Sequence, residues 1–234
     1  MPELKVGASP QEVADFWATH SKAALACAES TMQGFRNYAL KCQNCTLSQA
    51  RTQVVWGTGP VTAPLMFVGE APGRTEDLGG EPFTGAAGKV LDEFLAAADL
   101  NRDDVYIANV VKCRPPNNRN PLPDEIAACE PYLKIQLEII KPAVVVTLGK
   151  FAAQSLLDTN ESISSLQGNM QQLERFKVLP LYHPAATIYD RSKREPFLQA
   201  AALLKQALKQ TLPLQQTAEQ VSRQVQDQPP KQAV

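Results

Sequence analysis

The sequence predicts an α/β protein with three layers (α/β/α), in which helices cover both faces of a central, mainly parallel sheet of four strands. Short apolar runs alternate along the chain with segments of helical periodicity, which is the pattern of parallel βαβ units. Glycine-rich or polar loops follow several of these runs. In such sheets a ligand binds beyond the carboxyl ends of the strands, so these loops are candidates for the functional site.

Four apolar segments are predicted to form the sheet. Two of them end at a glycine, and the third along the chain is dense in β-branched residues, which pack well on a pleated surface. The segments are LMFVG (65–69), VYIANVV (105–111), AVVVTLG (143–149) and FKVLPLYHP (176–184).

Helices are predicted between and around the strands. The clearest covers about 123–140, because Pro123 fits a first helical turn in which Asp124 and Glu125 interact favourably with the helix dipole. Other helices are predicted over 9–33, 87–99 and 150–157, and a last amphipathic helix is marked by Phe197, Ala201, Leu204 and Leu208.

Composition and charge narrow the class of protein. The 234 residues are 44% hydrophobic and 20% charged, as in globular proteins. No apolar run reaches the roughly 18 residues that span a membrane, so no membrane contact is expected. The start of the sequence lacks the features of a signal peptide, and five cysteines without one favour reduced thiols in a cytoplasm. With a net charge of −1, any nucleic-acid contact needs a local basic patch.

The chain divides into three predicted regions. Residues 1–38 form a helical extension, 39–210 form the domain that holds the sheet, and 211–234 form a tail with seven glutamines and no sustained apolar stripe. Such a composition predicts disorder in the tail.

Four of the five cysteines have a spacing that predicts a metal site. Cys42 and Cys45 form a C-x2-C pair, and Cys113 and Cys129 follow after 67 and 15 intervening residues. Zinc more often uses two close pairs, whereas an iron–sulfur cluster takes four thiolates and also fits one close pair with two dispersed cysteines. Alternatively, Cys129 is a structural thiol, because it lies on an apolar stripe of its helix. Cys27 is predicted to be a buried residue of the first helix.

Three loops at the predicted strand ends carry polar side chains. The loop GEAPGRTEDLGGEPFTGAAGK (69–89) has six glycines, yet it matches neither a Walker loop nor a G-x-G-x-x-G motif. The second, NVVKCRPPNNRNP (109–121), begins with Asn109, whose amide both donates and accepts hydrogen bonds. The third, HPAATIYDRSKR (183–194), begins with His183 and is basic near its end. Solvated turns and a structural histidine are the alternatives.

Four motifs occur in order along the chain, namely GEAPG (69–73), EPFTGAAG (81–88), NVVKCRPP (109–116) and HPAA (183–186). Together they closely resemble the motifs of the family 4 uracil-DNA glycosylases, bacterial and archaeal repair enzymes that carry a four-iron, four-sulfur cluster. The resemblance runs from Cys42 to about Gln210. It implies the uracil-DNA glycosylase fold, a catalytic domain over 39–210, uracil-containing DNA as partner, action as a monomer, and hydrolysis of the bond between uracil and deoxyribose.

The resemblance also implies the roles of individual residues. Phe83 would stack on uracil, Asn109 would hydrogen-bond its edge, and His183 would stabilise the departing uracil anion. The cluster ligands would be Cys42, Cys45, Cys113 and Cys129. The DNA would be contacted by Pro184, Ala185 and Ala186, with an alanine or a neighbour wedged where the base left, and by Arg191, Lys193 and Arg194 at phosphates.

The first motif departs from that of better-known relatives. They have an aspartate that positions water two residues after the motif glycine, Gly69, where this chain has Ala71. Glu70 is the nearest carboxylate and is the candidate for electrostatic support or water positioning. Gly73 replaces a bulky tyrosine that excludes thymine, and Glu76 resembles the residue that takes over this exclusion.

Two other classes of protein compete with this interpretation. One is a related branch that traps uracil-DNA covalently through a histidine after the second strand. That branch has glutamine where this chain has Ala71, and no histidine lies between His20 and His183 here. The other is a non-enzymatic iron–sulfur protein for DNA binding or electron transfer. It would explain the cysteines but not the convergence of polar residues at the strand ends.

Overall fold

The computed structural model describes residues 10–211, with the side chains of 24–210. The first nine residues and nearly all of the predicted tail lie outside this range. Within it, the predicted α/β architecture is confirmed: a mostly parallel sheet has helices on both faces.

The sheet has five strands in the order β2-β1-β3-β5-β4. Four of them are parallel and are the four predicted strands, with somewhat shorter bounds. The fifth, β4, pairs antiparallel with β5 and was not predicted, because two polar residues carry no periodic signal. The strands are β1 (Leu65–Gly69), β2 (Tyr106–Asn109), β3 (Val144–Leu148), β4 (Gln171–Gln172) and β5 (Lys177–Leu181).

Eight α-helices are described. The bounds predicted for α4 and α5 are confirmed, whereas α1 continues past the predicted end at 33. Three short helices lie in segments that the sequence predicts as loops or leaves unassigned. The helices are α1 (Pro10–Ala39), α2 (Arg74–Gly79), α3 (Ala86–Ala97), α4 (Pro123–Ile140), α5 (Lys150–Leu157), α6 (Ile163–Leu166), α7 (Pro184–Tyr189) and α8 (Arg191–Thr211). None of the described helices is long and apolar enough to cross a membrane.

Alternating residues of β1 face two separate cores, as the two-residue period of a strand requires. Phe67 packs with α3 and α8, where the ring of Phe94 lies 6.0 Å from that of Phe67 and 4.9 Å from that of Phe197. Met66 and Val68 face the other core, which includes residues of α1 and α4. The buried sheet thus forms a rigid base whose carboxyl edge presents the polar loops.

The prediction that Cys27 is buried is wrong, since its side chain is exposed. The face of α1 that packs on the domain includes the buried Met32. Its sulfur accepts a hydrogen bond from the Tyr106 hydroxyl. Cys27 and Met32 are five positions apart, which places the two side chains about 140° apart around the helix.

Candidate active site

Three of the predicted loops meet in one cavity at the carboxyl ends of β1, β2 and β5. The cavity encloses about 300 Å³, and we call it the strand-end cavity. It is lined by Glu70, Ala71, Pro72, Gly73, Glu76, Phe83, Ala87, Asn109, Pro115, Asn118, Arg119, His183 and Ala185. The sheet therefore brings together residues that lie more than a hundred positions apart in the chain.

Gly69 ends β1 directly beneath two of these side chains. A Cβ atom at this position would lie 2.4 Å from Oδ1 of Asn109 and 2.5 Å from Cζ of Phe83. Gly69 does not line the cavity itself, but any larger residue would displace the two side chains that do. Gly69 therefore contributes to the site by leaving room for the Asn109 and Phe83 side chains.

Asn109 ends β2 opposite Gly69 and is 2% exposed. Its side-chain Oδ1 is a buried acceptor that has no hydrogen-bond partner within the described residues. Its backbone carbonyl, in contrast, accepts a hydrogen bond of 2.7 Å from the Lys112 ammonium. Leaving a buried acceptor unpaired costs about 1–3 kcal/mol, so this oxygen is suited to a ligand that brings a donor.

Phe83 also lines the cavity and is held in an unusual backbone conformation. Its φ of 55° lies in the left-handed region, which is strained for a bulky residue. The Arg102 guanidinium donates to its carbonyl oxygen, and a Cβ atom at Gly88 would lie 1.8 Å from the same oxygen. The Phe83 ring stacks on that of His183, with centroids 5.7 Å apart and planes inclined by 29°.

The Glu76 carboxylate supports the loop that carries Phe83. Its Oε1 accepts hydrogen bonds from the backbone amides of Thr84 (3.0 Å) and Gly85 (2.8 Å), at the start of α3. Its Oε2 lies 2.8 Å from the place that a Cβ atom at Gly73 would occupy. Glu76 therefore fills the space beside Gly73 at the cavity wall, where the predicted exclusion of a methyl group would operate.

His183 caps α7 from the end of β5. Its Nδ1 accepts a hydrogen bond of 3.2 Å from the Ala185 amide, which places the proton of the neutral ring on Nε2. Burial lowers the pKa of His183 to about 4, and the nearby Glu76 carboxylate opposes this shift less strongly. At neutral pH the ring is therefore an uncharged hydrogen-bond donor.

The half-buried Glu70 is the second carboxyl group of the strand-end cavity. Burial raises its pKa, so it holds its proton to a higher pH than an exposed glutamate. Ala71, beside it, lines the cavity with a methyl group only, so within the first motif (69–73) Glu70 is the residue that brings a carboxyl group to the cavity.

The segment 183–194, predicted as a loop, consists of α7 and the start of α8. Pro184 is buried at the first position of α7, Ala185 lines the cavity, and Ala186 is half-buried. The small alanine side chains therefore project little. The most exposed apolar side chains of α7 are those of Ile188 (42%) and Tyr189 (89%).

The predicted phosphate-binding cations differ in their surroundings. Lys193 forms an ion pair of 2.8 Å with Asp190, and Arg194 pairs with Glu93. Arg191 is exposed and forms no ion pair with any described residue. Among the three, it is the cation most readily available to an incoming phosphate.

A second, smaller cavity is lined by all four predicted cysteine ligands, and we call Cys42, Cys45, Cys113 and Cys129 the cysteine cradle. Nη1 of Arg51 lies 3.3 Å from Sγ of Cys113, and the backbone amide of Lys112 lies 3.2 Å from Sγ of Cys129. Burial raises the pKa of Cys129 to about 11, although the Lys112 charge opposes this. Metal binding would have to displace the proton from this thiol.

The family model of the uracil DNA glycosylase superfamily matches residues 56–208. The chain belongs to this superfamily. It is 49% identical over 166 residues to a type-4 uracil-DNA glycosylase of Archaeoglobus fulgidus. The aligned segment covers 68% of this chain and 83% of that protein. A type-4 uracil-DNA glycosylase of Thermotoga maritima is 45% identical over 70% of this chain and 86% of its own length. The predicted resemblance to the family 4 enzymes of the superfamily is thereby confirmed.

A type-5 uracil-DNA glycosylase of Thermus thermophilus is a more distant superfamily relative. It is 34% identical over 116 residues, which are 43% of this chain and 52% of that protein. The type-4 relatives therefore match this chain over a longer segment and at higher identity.

The donor set of the cysteine cradle, four thiols around one cavity, fits the four thiolate ligands of an iron–sulfur cluster. Among the described residues, no group of three or more His, Cys, Asp or Glu is arranged to hold a single metal ion. Hydrogen bonds to sulfur from Arg51 and Lys112 fit thiolate ligands of such a cluster.

Five residues that line the strand-end cavity were not predicted as site residues: Pro72, Ala87, Pro115, Asn118 and Arg119. Arg119 is held by two hydrogen bonds, of 2.8 and 2.6 Å, from its guanidinium to the fully buried Glu125 carboxylate. The sequence offers only the general basic character of 109–121, because the pair joins a loop to the next helix without a periodic spacing.

Proposed function

We propose that this superfamily member is a uracil-DNA glycosylase of DNA base excision repair, which hydrolyses the bond between uracil and deoxyribose and leaves an abasic site. The observation that carries the proposal is the unpaired Oδ1 of Asn109, a buried acceptor at a cavity whose other walls are Phe83 and His183. The type-4 relatives, named as uracil-DNA glycosylases, support the same activity.

Recognition begins when the base leaves the duplex, at a cost of a few kcal/mol. Uracil then enters the strand-end cavity and lies against the Phe83 ring. Oδ1 of Asn109 accepts a hydrogen bond from N3–H of uracil, while the amide Nδ2 donates to the neighbouring carbonyl oxygen O4. Cytosine has an acceptor at N3 and a donor at the neighbouring position, so the same amide orientation rejects it.

In the bond-breaking step the electron pair of the C–N bond leaves with uracil, which becomes an anion, while positive charge develops on the sugar. Nε2–H of His183 donates a hydrogen bond to the anion, and backbone amides of Glu70, Ala71 and Gly73 add to this stabilisation. The Glu70 carboxylate, in its ionised form, stabilises the charge on the sugar or orients the attacking water. The water oxygen bonds to the sugar carbon, and its proton passes to a base or to solvent.

Glu76 is proposed to exclude thymine by occupying the space beside Gly73. The Glu76→Ala variant should therefore excise thymine relative to uracil about tenfold better than wild type, because one methyl group is worth that order of discrimination. Single-turnover rates on matched thymine and uracil oligonucleotides measure the ratio.

The control for Glu76 is Glu81→Ala, which removes an exposed carboxylate from the same loop. If both excision rates of Glu76→Ala fall together and their ratio stays at the wild-type value, Glu76 acts only by supporting the Phe83 loop.

The face around α7 is proposed to contact DNA. Ala185, Ala186 or the neighbouring exposed residues would enter the space that the base left, and Pro184 would fix the start of the helix. Arg191, Lys193 and Arg194 would hold phosphates, with Arg191 the least engaged within the protein. Binding should consequently weaken as the salt concentration rises.

The cysteine cradle is proposed to hold one four-iron, four-sulfur cluster in a monomeric, cytoplasmic protein. When bound, the cluster would cross-link the segment after α1, the loop after β2 and α4. None of the cysteines is among the side chains assigned to uracil. The proposed role of the cradle is therefore to hold the wall of the site in place. A reducing compartment would keep the free thiols available for cluster assembly.

Incubation with a uracil-containing oligonucleotide, followed by alkali, tests the function. Strand breakage at uracil, absent from a thymine control, is the expected result. A stable protein–DNA adduct would instead support the covalent branch, and neither product would support a non-enzymatic DNA-binding or electron-transfer protein. The covalent branch is disfavoured because no histidine occurs between His20 and His183 to act as its nucleophile.

A further inference from the structure

Lys112 is a fully buried lysine, and only 1% of its surface is exposed. Its ammonium donates to the Asn109 carbonyl (2.7 Å) and to Oε1 of Gln136 (2.5 Å), and it lies 5.7 Å from the centre of the Trp56 ring. Within the described residues no carboxylate forms an ion pair with it. A buried charge is costly unless an opposite charge compensates it.

The same residue lies between the two cavities. Its backbone amide donates to Sγ of Cys129, and the residue lines the cavity of the cysteine cradle. Its ammonium holds the carbonyl of Asn109, whose side chain lines the strand-end cavity. One lysine thus contacts both the cradle and the residue proposed to recognise uracil.

Gln136 is the second residue that holds the ammonium. Its Nε2 donates to the Trp56 carbonyl (2.8 Å) and to the Tyr106 hydroxyl (3.2 Å), so its Oε1 is directed at Lys112. Gln136 lies on α4 two turns after Cys129 and is itself fully buried. A movement of α4 that displaces Cys129 would therefore also displace Gln136, and through its hydrogen bonds Lys112 and Asn109.

Charge explains why the chain buries this cation without a carboxylate. Four thiolates around a four-iron, four-sulfur core carry a net negative charge, which a buried cradle must compensate from nearby cations. Arg51 supplies one cation, 3.3 Å from Sγ of Cys113. Lys112 supplies a second on the side that faces the strand-end cavity.

We propose that Lys112 is a positioning residue that couples the cysteine cradle to uracil recognition: its charge compensates the bound cluster, and its ammonium fixes the carbonyl of Asn109. The proposal rests on the proposed function, because it concerns the same uracil site. It assigns no chemical step to the lysine.

The test replaces Lys112 with methionine, which keeps the length of the side chain but removes its charge and its donors. The matched control is Lys134→Met, which removes a largely exposed lysine from α4. Two quantities are measured on cluster-loaded protein: the reduction potential of the cluster, and the inhibition constant of free uracil in the excision assay. Affinity for an oligonucleotide without uracil serves as the measure of the intact DNA-binding face.

For Lys112→Met the reduction potential should move to a more negative value, since removing a nearby positive charge disfavours the added electron. The inhibition constant of uracil should rise about tenfold or more, because hydrogen bonds to charged groups contribute on that scale. Affinity for the uracil-free oligonucleotide should stay within about twofold, and Lys134→Met should match wild type in all three measurements.

Wild-type values of the inhibition constant and of the reduction potential in Lys112→Met would overturn the proposal, and so would a change in only one of them. If this variant does not fold or load, Gln136→Leu decides. It keeps the lysine charge but removes one partner, so the uracil inhibition constant should rise while the potential changes less; an unchanged constant overturns the proposal. Failure of wild-type protein to release uracil would refute the proposed function separately.

Discussion

Replacing Asn109 with leucine should lower the single-turnover rate of uracil excision by about a thousandfold, since one lost transition-state donor alone costs about a hundred- to a thousandfold. Leucine has a similar size but can neither accept from N3–H nor donate to O4. Folding should be affected little, because Oδ1 of Asn109 has no hydrogen-bond partner to lose among the residues that the structure describes. The rate is measured on a uracil oligonucleotide with enzyme in excess, and the unfolding midpoint is measured beside it.

Asn120→Leu is the matched control, because Asn120 is exposed in the same loop and does not line the strand-end cavity. It should excise uracil at the wild-type rate. A rate for Asn109→Leu within about threefold of wild type would remove Asn109 from the recognition step and leave its buried acceptor unexplained.

Replacing His183 with alanine should lower the excision rate by about a hundredfold or more, because a donor directed at developing negative charge is worth this much. His183→Gln retains an amide donor and should recover part of the loss. Equal rates for the two variants would indicate that the ring acts by packing against Phe83 and not by donating a hydrogen bond.

The acid stability of the fold should also depend on His183. Its pKa is about 4 in the fold and 6.5 without the environment of the protein, so the unfolded chain takes up the proton first. The contribution of the neutral ring to the free energy of unfolding is therefore complete above pH 6.5 and is lost as the pH falls towards 4. His183→Gln should flatten the stability profile in this window; an unchanged slope would contradict the low pKa.

The sequence predicted those parts of the fold that depend on local pattern. The bounds of α4 follow from Pro123 and the acidic first turn, and the parallel strands follow from apolar runs between helices. The short β4 and α7 could not be predicted, because their few residues carry no period and are held by the elements around them.

Site residues that belong to a sequence motif could be predicted. Residues whose role depends on a contact between distant parts of the chain could not. Asn109, Phe83 and His183 belong to motifs, and the structure brings all three to the strand-end cavity. The bond from Lys112 to Gln136 and the ion pair of Arg119 join residues of different elements, so they require the packed structure. Cys27 was wrongly predicted to be buried because the apolar residues of its helix suggest more than one packing face.

Oδ1 of Asn109 is proposed to recognise uracil by accepting a hydrogen bond from its N3–H group. The most direct measurement compares free uracil with 3-methyluracil as inhibitors of excision, because the methyl group removes this donor and leaves the rest of the ring in place. Uracil should inhibit, and 3-methyluracil should inhibit about tenfold more weakly or not at all. Equal inhibition by the two compounds would contradict the assignment of Asn109 and, with it, the proposed orientation of the base in the strand-end cavity.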